Sequence, residues 1–265
     1  MVARVSAGLG WSMEHLTDSP PLVFLCAIAL QWLCAWFGAE VLSRQRERAH
    51  EAREDFRMVL AASLTLLGLI IGFSFSMAVT RYDLRKGAEA AEANAIGTAY
   101  VRTELLPAAE AARVRALLGE YLEQRILFYR TRDPERLRLI NMQTTQTQGE
   151  LWSSIRTVAN AQPSPVVALA VSGMNDVLNS QSATQATWWN RIPGAAWGLM
   201  AVIAMLCNLM LGFTAGRLRT RAVLLILPLV VSTAFYLISE IDSPRGGFIQ
   251  VTPQNLVSLV GVVHR

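Results

Sequence analysis

The sequence has few of the residue types from which catalytic and metal sites are usually built. Its 265 residues include three cysteines and three histidines. His15, His50 and His264 lie far apart, and no pair has a metal-binding spacing such as HExxH. No local pattern joins a nucleophile to a base or supplies a phosphate-binding glycine loop. The sequence therefore predicts no enzymatic activity, no metal site and no cofactor.

Charged residues are almost absent from four long apolar segments. These are Pro21–Leu42, Met58–Val79, Ala195–Phe213 and Ala222–Ile238, and Glu40 is their one charged residue. At about 1.5 Å per residue, each can cross a hydrocarbon layer roughly 30 Å thick as a helix. A chain with 52% hydrophobic residues has too little polar sequence to cover four soluble core helices. We therefore predict an all-α integral membrane protein with about four transmembrane helices and a helical soluble module between the second and third.

The charge and cysteine content fit this class of protein. A net charge of +4 would favour a nucleic-acid partner in a soluble protein. Here the arginines flank the apolar segments, so we expect the lipid bilayer as a partner and no nucleic acid. Cys26, Cys34 and Cys207 lie within apolar segments, where a thiol behaves as a small hydrophobe, so they predict no disulfide.

The apolar segments pair at the two ends of the chain and divide it into five parts. We expect an N-terminal tail over 1–20, transmembrane helices 1 and 2 over 21–79, a helical extramembrane module over 80–190, transmembrane helices 3 and 4 over 191–238, and a C-terminal tail over 239–265. The module lacks strand-like alternation, and its first half is rich in alanine, glutamate, arginine and leucine. Pro107, Pro134 and Pro163 predict boundaries between its helices.

Two arginine-rich loops indicate the orientation in the membrane. They join the first to the second and the third to the fourth apolar segment, and they contain Arg44, Arg46, Arg48, Arg53, Arg57, Arg217, Arg219 and Arg221. By the positive-inside rule both loops are cytoplasmic, and the termini and the central module are then extracytoplasmic. Arg81, Arg85 and Lys86 follow the second segment and favour the opposite orientation. We expect a multi-pass protein of the cell inner (plasma) membrane.

The second apolar segment has the most distinctive pattern of the four. Small residues recur every four positions at Gly68, Gly72 and Ser76, a spacing typical of close helix packing. A neighbouring apolar stripe consists of Leu69, Phe73 and Met77. This stripe could face lipid, pack against a helix or line a narrow constriction. No segment has a charge at its centre, which argues against a proton-coupled transporter.

Three stretches of the sequence resemble bestrophins. Residues 72–83 read Gly-Phe-Ser-Phe-Ser-Met-Ala-Val-Thr-Arg-Tyr-Asp and are similar to the end of the bestrophin pore helix, where a Gly-Phe pair leads to Thr-Arg-Trp. Residues 92–100, followed by Leu-Leu-Pro at 105–107, and the tail Asp-Ser-Pro-Arg-Gly-Gly at 242–247 resemble bacterial membrane proteins that have a bestrophin-like domain. The resemblance covers most of the chain.

This resemblance implies an oligomeric ion channel, a pentamer, in which one helix from each subunit lines an anion-conducting pore. The apolar neck of the family falls on Thr65, Leu69 and Phe73. With the continuation of the stripe, the candidate pore-lining residues are Thr65, Phe73 and Met77. Thr65 departs from the apolar neck pattern. Small inorganic ions are then expected partners.

Arg81 and Arg85 form the candidate pore mouth, where cationic side chains would concentrate anions. Ordinary solvated arginines are the alternative explanation. The chain has no acidic cluster like the calcium clasp of animal bestrophins, so calcium gating is not implied. Bestrophins also hold the module in the cytoplasm, whereas the loop arginines predict the opposite side.

The remaining candidates form a structural motif, Glu92, Asn94, Asp242, Pro244 and Gly247. The first two are expected to pair within the module, and the others to shape a turn after the fourth segment. For both sets packing explains the residues better than ligand binding does. The alternative to a channel is a non-conducting membrane sensor or scaffold whose helical module binds a partner.

Overall fold

The computed structural model describes residues 18–40, 52–214 and 223–263, with side chains described from 56 and from 224 in the last two ranges. Both termini lie outside these ranges. Of the arginines that predict the orientation, only Arg57 has a described side chain; Arg53 is described by its backbone alone, and the other six lie outside the described residues.

Every regular element in the described ranges is helical. The helices are α1 (Pro20–Glu40), α2 (Ala52–Arg102), α3 (Ala108–Arg130), α4 (Pro134–Ala161), α5 (Pro165–Trp189), α6 (Gly194–Thr214), α7 (Val223–Asp242) and α8 (Gln254–Val263), with a 3-10 turn at Thr103–Leu105. Four helical stretches of the described chain are long and apolar enough to cross a membrane. The prediction of an all-α membrane protein with about four such helices is confirmed.

The helices form two compact units. Unit 1 consists of Met1–Thr80 and Arg191–Gln250, and in it α1 packs against α6 and α7. A Cβ atom on Gly38 would collide with the backbone of Leu209, and one on Gly212 would collide with that of Ala35. The backbones of α1 and α6 therefore approach closely at these glycines.

Buried polar side chains join the three helices of unit 1. Asn208 Nδ2 donates to Gln31 Oε1 at 3.0 Å, and Gln31 Nε2 donates to Ser232 Oγ at 3.2 Å. These bonds connect α6, α1 and α7 in turn. A polar group in an apolar environment must find such a partner, so the three side chains fix the register between the helices.

Unit 2 consists of Arg81–Asn190 and Val251–Arg265. Its core holds apolar side chains from several helices, including Ile96, Leu118, Leu122, Leu151, Ile155 and Val177. Helices α4 and α5 each begin with a proline preceded by a capping residue: Asp133 accepts from the Glu135 amide, and Ser164 accepts from the Val167 amide. Helix α8 lies within residues 239–265, for which the sequence predicts only a C-terminal tail.

Candidate functional site: the α2 helix and its buried carboxylates

The second apolar segment forms part of α2, a continuous helix of 51 residues. Leu67, Ser74 and Ala78 on one side of the helix are buried. The opposite side is open over several turns, and only 17% of the spanning window is buried, the lowest share among the four candidate spans. A single copy of the chain thus leaves most of this span to be covered by lipid or by another chain.

The small residues of α2 lie on this open side. A Cβ atom added to Gly68 or Gly72 would meet no atom within 4 Å in the part of the chain that the structure describes. In contrast, Gly38 and Gly212 are already used for packing inside unit 1. Among the described residues, the spacing of Gly68, Gly72 and Ser76 therefore does not serve packing within one chain, and these residues are open to lipid or to a helix from another chain.

The candidate pore-lining residues are all exposed in the protomer. Phe73 is 64% exposed, and Thr65 and Met77 are also exposed. Thr65 Oγ1 donates to the carbonyl oxygen of Ala61 at 3.0 Å, so its hydroxyl hydrogen is used within its own helix. Because this hydroxyl hydrogen is already bonded, Thr65 has no free donor to offer a ligand and resembles an apolar side chain in this respect.

The two mouth candidates have different environments. Arg81 is half-buried, and its Nη1 donates to Asn190 Oδ1 in the same unit. Arg85 is only 1% exposed, so its guanidinium lies inside the protomer rather than on its surface. Of the two, only Arg81 is accessible at the surface of one protomer.

Glu92 forms the centre of a buried polar cluster in unit 2. Arg125 donates through Nε to Glu92 Oε1 and through Nη2 to Glu92 Oε2, the second at 3.3 Å. Thr184 Oγ1 donates to Glu92 Oε2 at 3.1 Å, and the Tyr121 hydroxyl donates to Oε1 at 3.5 Å. Neither member of the ion pair is exposed. The carboxylate therefore connects α2 with α3 and α5.

Burial and the charge of Glu92 shift the pKa values of the neighbouring side chains in this cluster. Burial and the neighbouring carboxylate both raise the pKa of Tyr121, and the same two causes raise the pKa of Tyr129. Burial, the largest single cause, lowers the pKa of Arg125, but the attraction and hydrogen bonding of Glu92 together with the two nearby tyrosines outweigh it, and the pKa is raised. Arg125 also lies over the Phe128 ring, with its Cζ 4.3 Å from the ring centroid.

A second buried carboxylate, Glu89, holds the start of α8. The Leu256 amide donates to Glu89 Oε1 at 3.0 Å, and Asn255 Nδ2 donates to Glu89 Oε2 at 2.6 Å. A carboxylate at a helix N-terminus satisfies amides that have no partner within the helix. At the other end of α8, the Tyr100 hydroxyl donates to the Val263 carbonyl at 3.1 Å.

The remaining motif candidates lie at a turn in unit 1 and on the surface of unit 2. The Asp242 carboxylate accepts from the Ile192 amide at 3.1 and 3.2 Å. Pro244 is in the turn after α7, and a Cβ on Gly247 would collide with Glu240, so only glycine fits there. Asn94 is exposed, although its neighbour in the motif, Glu92, is fully buried.

Arg125 and Glu89 were not identified from the sequence. A usable signal exists for Arg125, because it lies four residues after Tyr121 and three after Leu122, on the apolar stripe of α3. An arginine on such a stripe requires a buried acceptor. Glu89 precedes Glu92 by three residues, which places both carboxylates on one side of α2.

The chain is similar to known membrane proteins both in sequence and in fold. The family model described as the Bestrophin-like domain matches residues 25–256. A crystal structure of a bacterial bestrophin homologue from Klebsiella pneumoniae is similar, with 15% identity, a TM-score of 0.62, and coverage of 89% of this chain and 98% of that one. A single-residue variant of the same homologue gives 16% identity and a TM-score of 0.64, with coverage of 91% and 98%. No match was found among curated proteins.

Proposed function

Because the chain belongs to the Bestrophin-like family, we propose that it is an oligomeric ion channel in which α2 of each copy lines the pore. The observation that carries this proposal is the open side of α2. A Cβ atom on Gly68 or Gly72 would meet no atom of the described chain within 4 Å, whereas Gly38 of α1 and Gly212 of α6 pack directly against the backbone of a neighbouring helix. Several copies arranged around an axis would cover these glycines and leave the adjoining apolar stripe facing the axis.

The stripe has the chemistry of a hydrophobic constriction. Thr65, Phe73 and Met77 are exposed, and Leu69 is exposed between them. Large apolar side chains around a narrow axis oppose hydration, so ions pass only when the ring widens. In this proposal Phe73 forms the narrowest ring because it is the largest of these side chains.

Charge at the end of the span supports an anionic substrate. Arg81 lies in α2 just after the apolar segment and is accessible there, and its contact with Asn190 holds the guanidinium in position. Rings of arginine favour anions over cations. Arg85 is buried and would contribute only to the general positive potential. Small inorganic anions are then the permeant species, and five is the copy number that the family resemblance implies.

The orientation remains a proposal based on the loop arginines. It places the short loops in the cytoplasm and the termini and central module outside, in a multi-pass protein of the cell inner (plasma) membrane. A reporter active only in the cytoplasm, fused into the α4–α5 turn, should be inactive. Activity of that fusion would reverse the orientation without affecting the pore proposal.

Ion flux through purified protein tests the function. Proteoliposomes should release a loaded halide faster than empty vesicles, and Phe73→Ala should increase the rate because the ring is wider. The matched control is Phe75→Ala, since Phe75 is also exposed on α2 but lies two residues along and on another side. Flux no faster than from empty vesicles, with Phe73→Ala equally inactive, would favour a non-conducting sensor or scaffold instead.

A further inference from the structure

We propose that the turn between α3 and α4 binds the headgroups of anionic phospholipids at the membrane surface. The α3–α4 turn is defined here as residues 130–138. It contains four basic residues, Arg130, Arg132, Arg136 and Arg138, and two acidic residues, Asp133 and Glu135. This interaction is separate from ion conduction and does not depend on it.

The turn lies at the end of unit 2 that holds Arg81 and Asn190, two of the positions at which the chain passes between the units. The ring centroids of Phe128 and Trp188 are 5.1 Å apart, and those of Tyr129 and Trp188 are 5.4 Å apart. The last turn of α3 therefore packs against the last turn of α5. Asn190 follows directly and accepts from Arg81, the residue at which α2 enters this unit. Arg81 and Asn190, which begin and end the first segment of unit 2, thus lie beside the α3–α4 turn.

The arginines of the turn are available for a ligand from outside the protomer. Arg130, Arg132 and Arg136 are all exposed. Arg138 pairs with Glu135 at 3.3 Å, and Asp133 caps α4 by accepting from the Glu135 amide. The local carboxylates therefore already have partners, and the three exposed guanidinium groups leave an excess of positive charge. Guanidinium is well suited to phosphate because it donates two parallel hydrogen bonds.

Apolar side chains beside the turn fit the interfacial region of a bilayer. Trp189 is 74% exposed at the same end of the unit, and Leu127 is exposed one turn before Arg130. Tryptophan is enriched at the level of the headgroups, where its ring is apolar and its N–H remains hydrated. Arginine likewise extends its guanidinium to the phosphates while its stem covers apolar surface.

Charge complementarity identifies lipid, rather than a second copy of the chain, as the occupant. The whole chain has a net charge of +4, and a second copy meeting this turn through its own α3–α4 turn would bring like charges together. An anionic bilayer attracts basic residues that lie within a Debye length of its surface, about 8–10 Å at ordinary ionic strength.

Hydrogen exchange of the full chain in nanodiscs tests this proposal. Wild-type protein in phosphatidylglycerol nanodiscs should show slower exchange over residues 127–138 than in phosphatidylcholine nanodiscs. The double variant Arg130→Gln and Arg132→Gln should lose at least about half of this difference. The matched control, Arg113→Gln with Arg156→Gln, removes two exposed arginines at the opposite ends of α3 and α4 and should behave as wild type.

Each other outcome contradicts the proposal. Equal exchange of wild-type residues 127–138 in both lipids overturns it without any variant. Strong protection that is the same in both lipids would indicate coverage by another copy of the chain. Inorganic phosphate added to phosphatidylcholine nanodiscs should not reproduce the protection, and if it does, the turn binds free phosphate rather than the membrane. An equal loss in the control variant would show a general charge effect.

Discussion

The Glu92 carboxylate on α2 and the Arg125 guanidinium on α3 form an ion pair in which neither side chain is exposed. Such a pair contributes little net stability relative to apolar side chains, because removing both charges from water is costly. Removing only one partner, however, strongly destabilises the folded state, because it leaves the other charge buried without a counter-charge. The pair therefore fixes how α2 packs in unit 2.

We expect Glu92→Gln to destabilise the protein by about 3–5 kcal/mol, because Arg125 is left buried without its counter-charge. Thermal unfolding in mild detergent, monitored through the loss of helix content, measures this decrease in stability. Replacing both members with Leu and Met should cost less than the single change.

The control for this experiment is an exposed ion pair in the same unit. Arg115 and Glu104 are 3.5 Å apart, with exposures of 37% and 71%. Glu104→Gln should cost less than about 1 kcal/mol. Equal losses for Glu92→Gln and Glu104→Gln would contradict a special role for the buried pair.

High pH should destabilise unit 2 through its buried tyrosines. The pKa of Tyr121 is raised by burial and by Glu92, so the folded state holds the phenol proton more tightly than the unfolded state. The resulting stability is complete below the unfolded pKa of about 10 and is lost as pH rises through the folded pKa. Tyr121→Phe should reduce the slope of stability against pH above 10. An unchanged slope for both Tyr121→Phe and Tyr129→Phe would contradict this assignment.

Glu89→Ala should release the start of α8 from unit 2. The variant removes both acceptors for the Leu256 amide and the Asn255 side chain, and hydrogen bonds to charged groups contribute about 1.5–3 kcal/mol each. Hydrogen exchange over residues 254–263 should become faster by at least tenfold. Asn94→Ala, an exposed change on the same helix, serves as the control and should leave exchange in α8 unchanged.

Much of the fold follows from the sequence because hydrophobicity and proline act locally. The four apolar stretches and the breaks near Pro107, Pro134 and Pro163 require only chain length and residue type. Gln31 and Asn208 bond between helices, since a polar side chain in a span has few other options. Helix α8 could not be predicted in this way, because its ten residues are too short to span and depend on Glu89 for a cap.

Long-range partners account for what the sequence did not reveal. Glu92 and Arg125 are 33 residues apart, and only the packing of α2 against α3 brings them together. The burial of Arg85 was likewise hidden, because its position after an apolar span resembles that of any interfacial arginine. The roles of Thr65, Phe73 and Met77 depend on neighbouring copies and stay predictions.

Gly72 of α2 and Gly212 of α6 should respond differently to replacement by alanine. Gly212→Ala should lower the thermal stability of the protomer, because its Cβ would collide with Ala35. Gly72→Ala has free space in the protomer and should leave its stability equal or higher by about 0.5–1 kcal/mol. Native mass spectrometry should show fewer full oligomers for Gly72→Ala. A wild-type monomer, or unchanged assembly in Gly72→Ala, would contradict packing of another copy on this side.

The central claim is that the open side of α2 lines an ion path, and cysteine accessibility under current recording tests it most directly. A charged thiol reagent applied to Phe73→Cys channels in a planar bilayer should change the current within seconds to minutes. The same reagent should leave Phe75→Cys and the wild type, whose own cysteines lie in apolar helices, unaffected. Modification of current in Phe75→Cys but not in Phe73→Cys, or no current in any of the three proteins, would contradict the account.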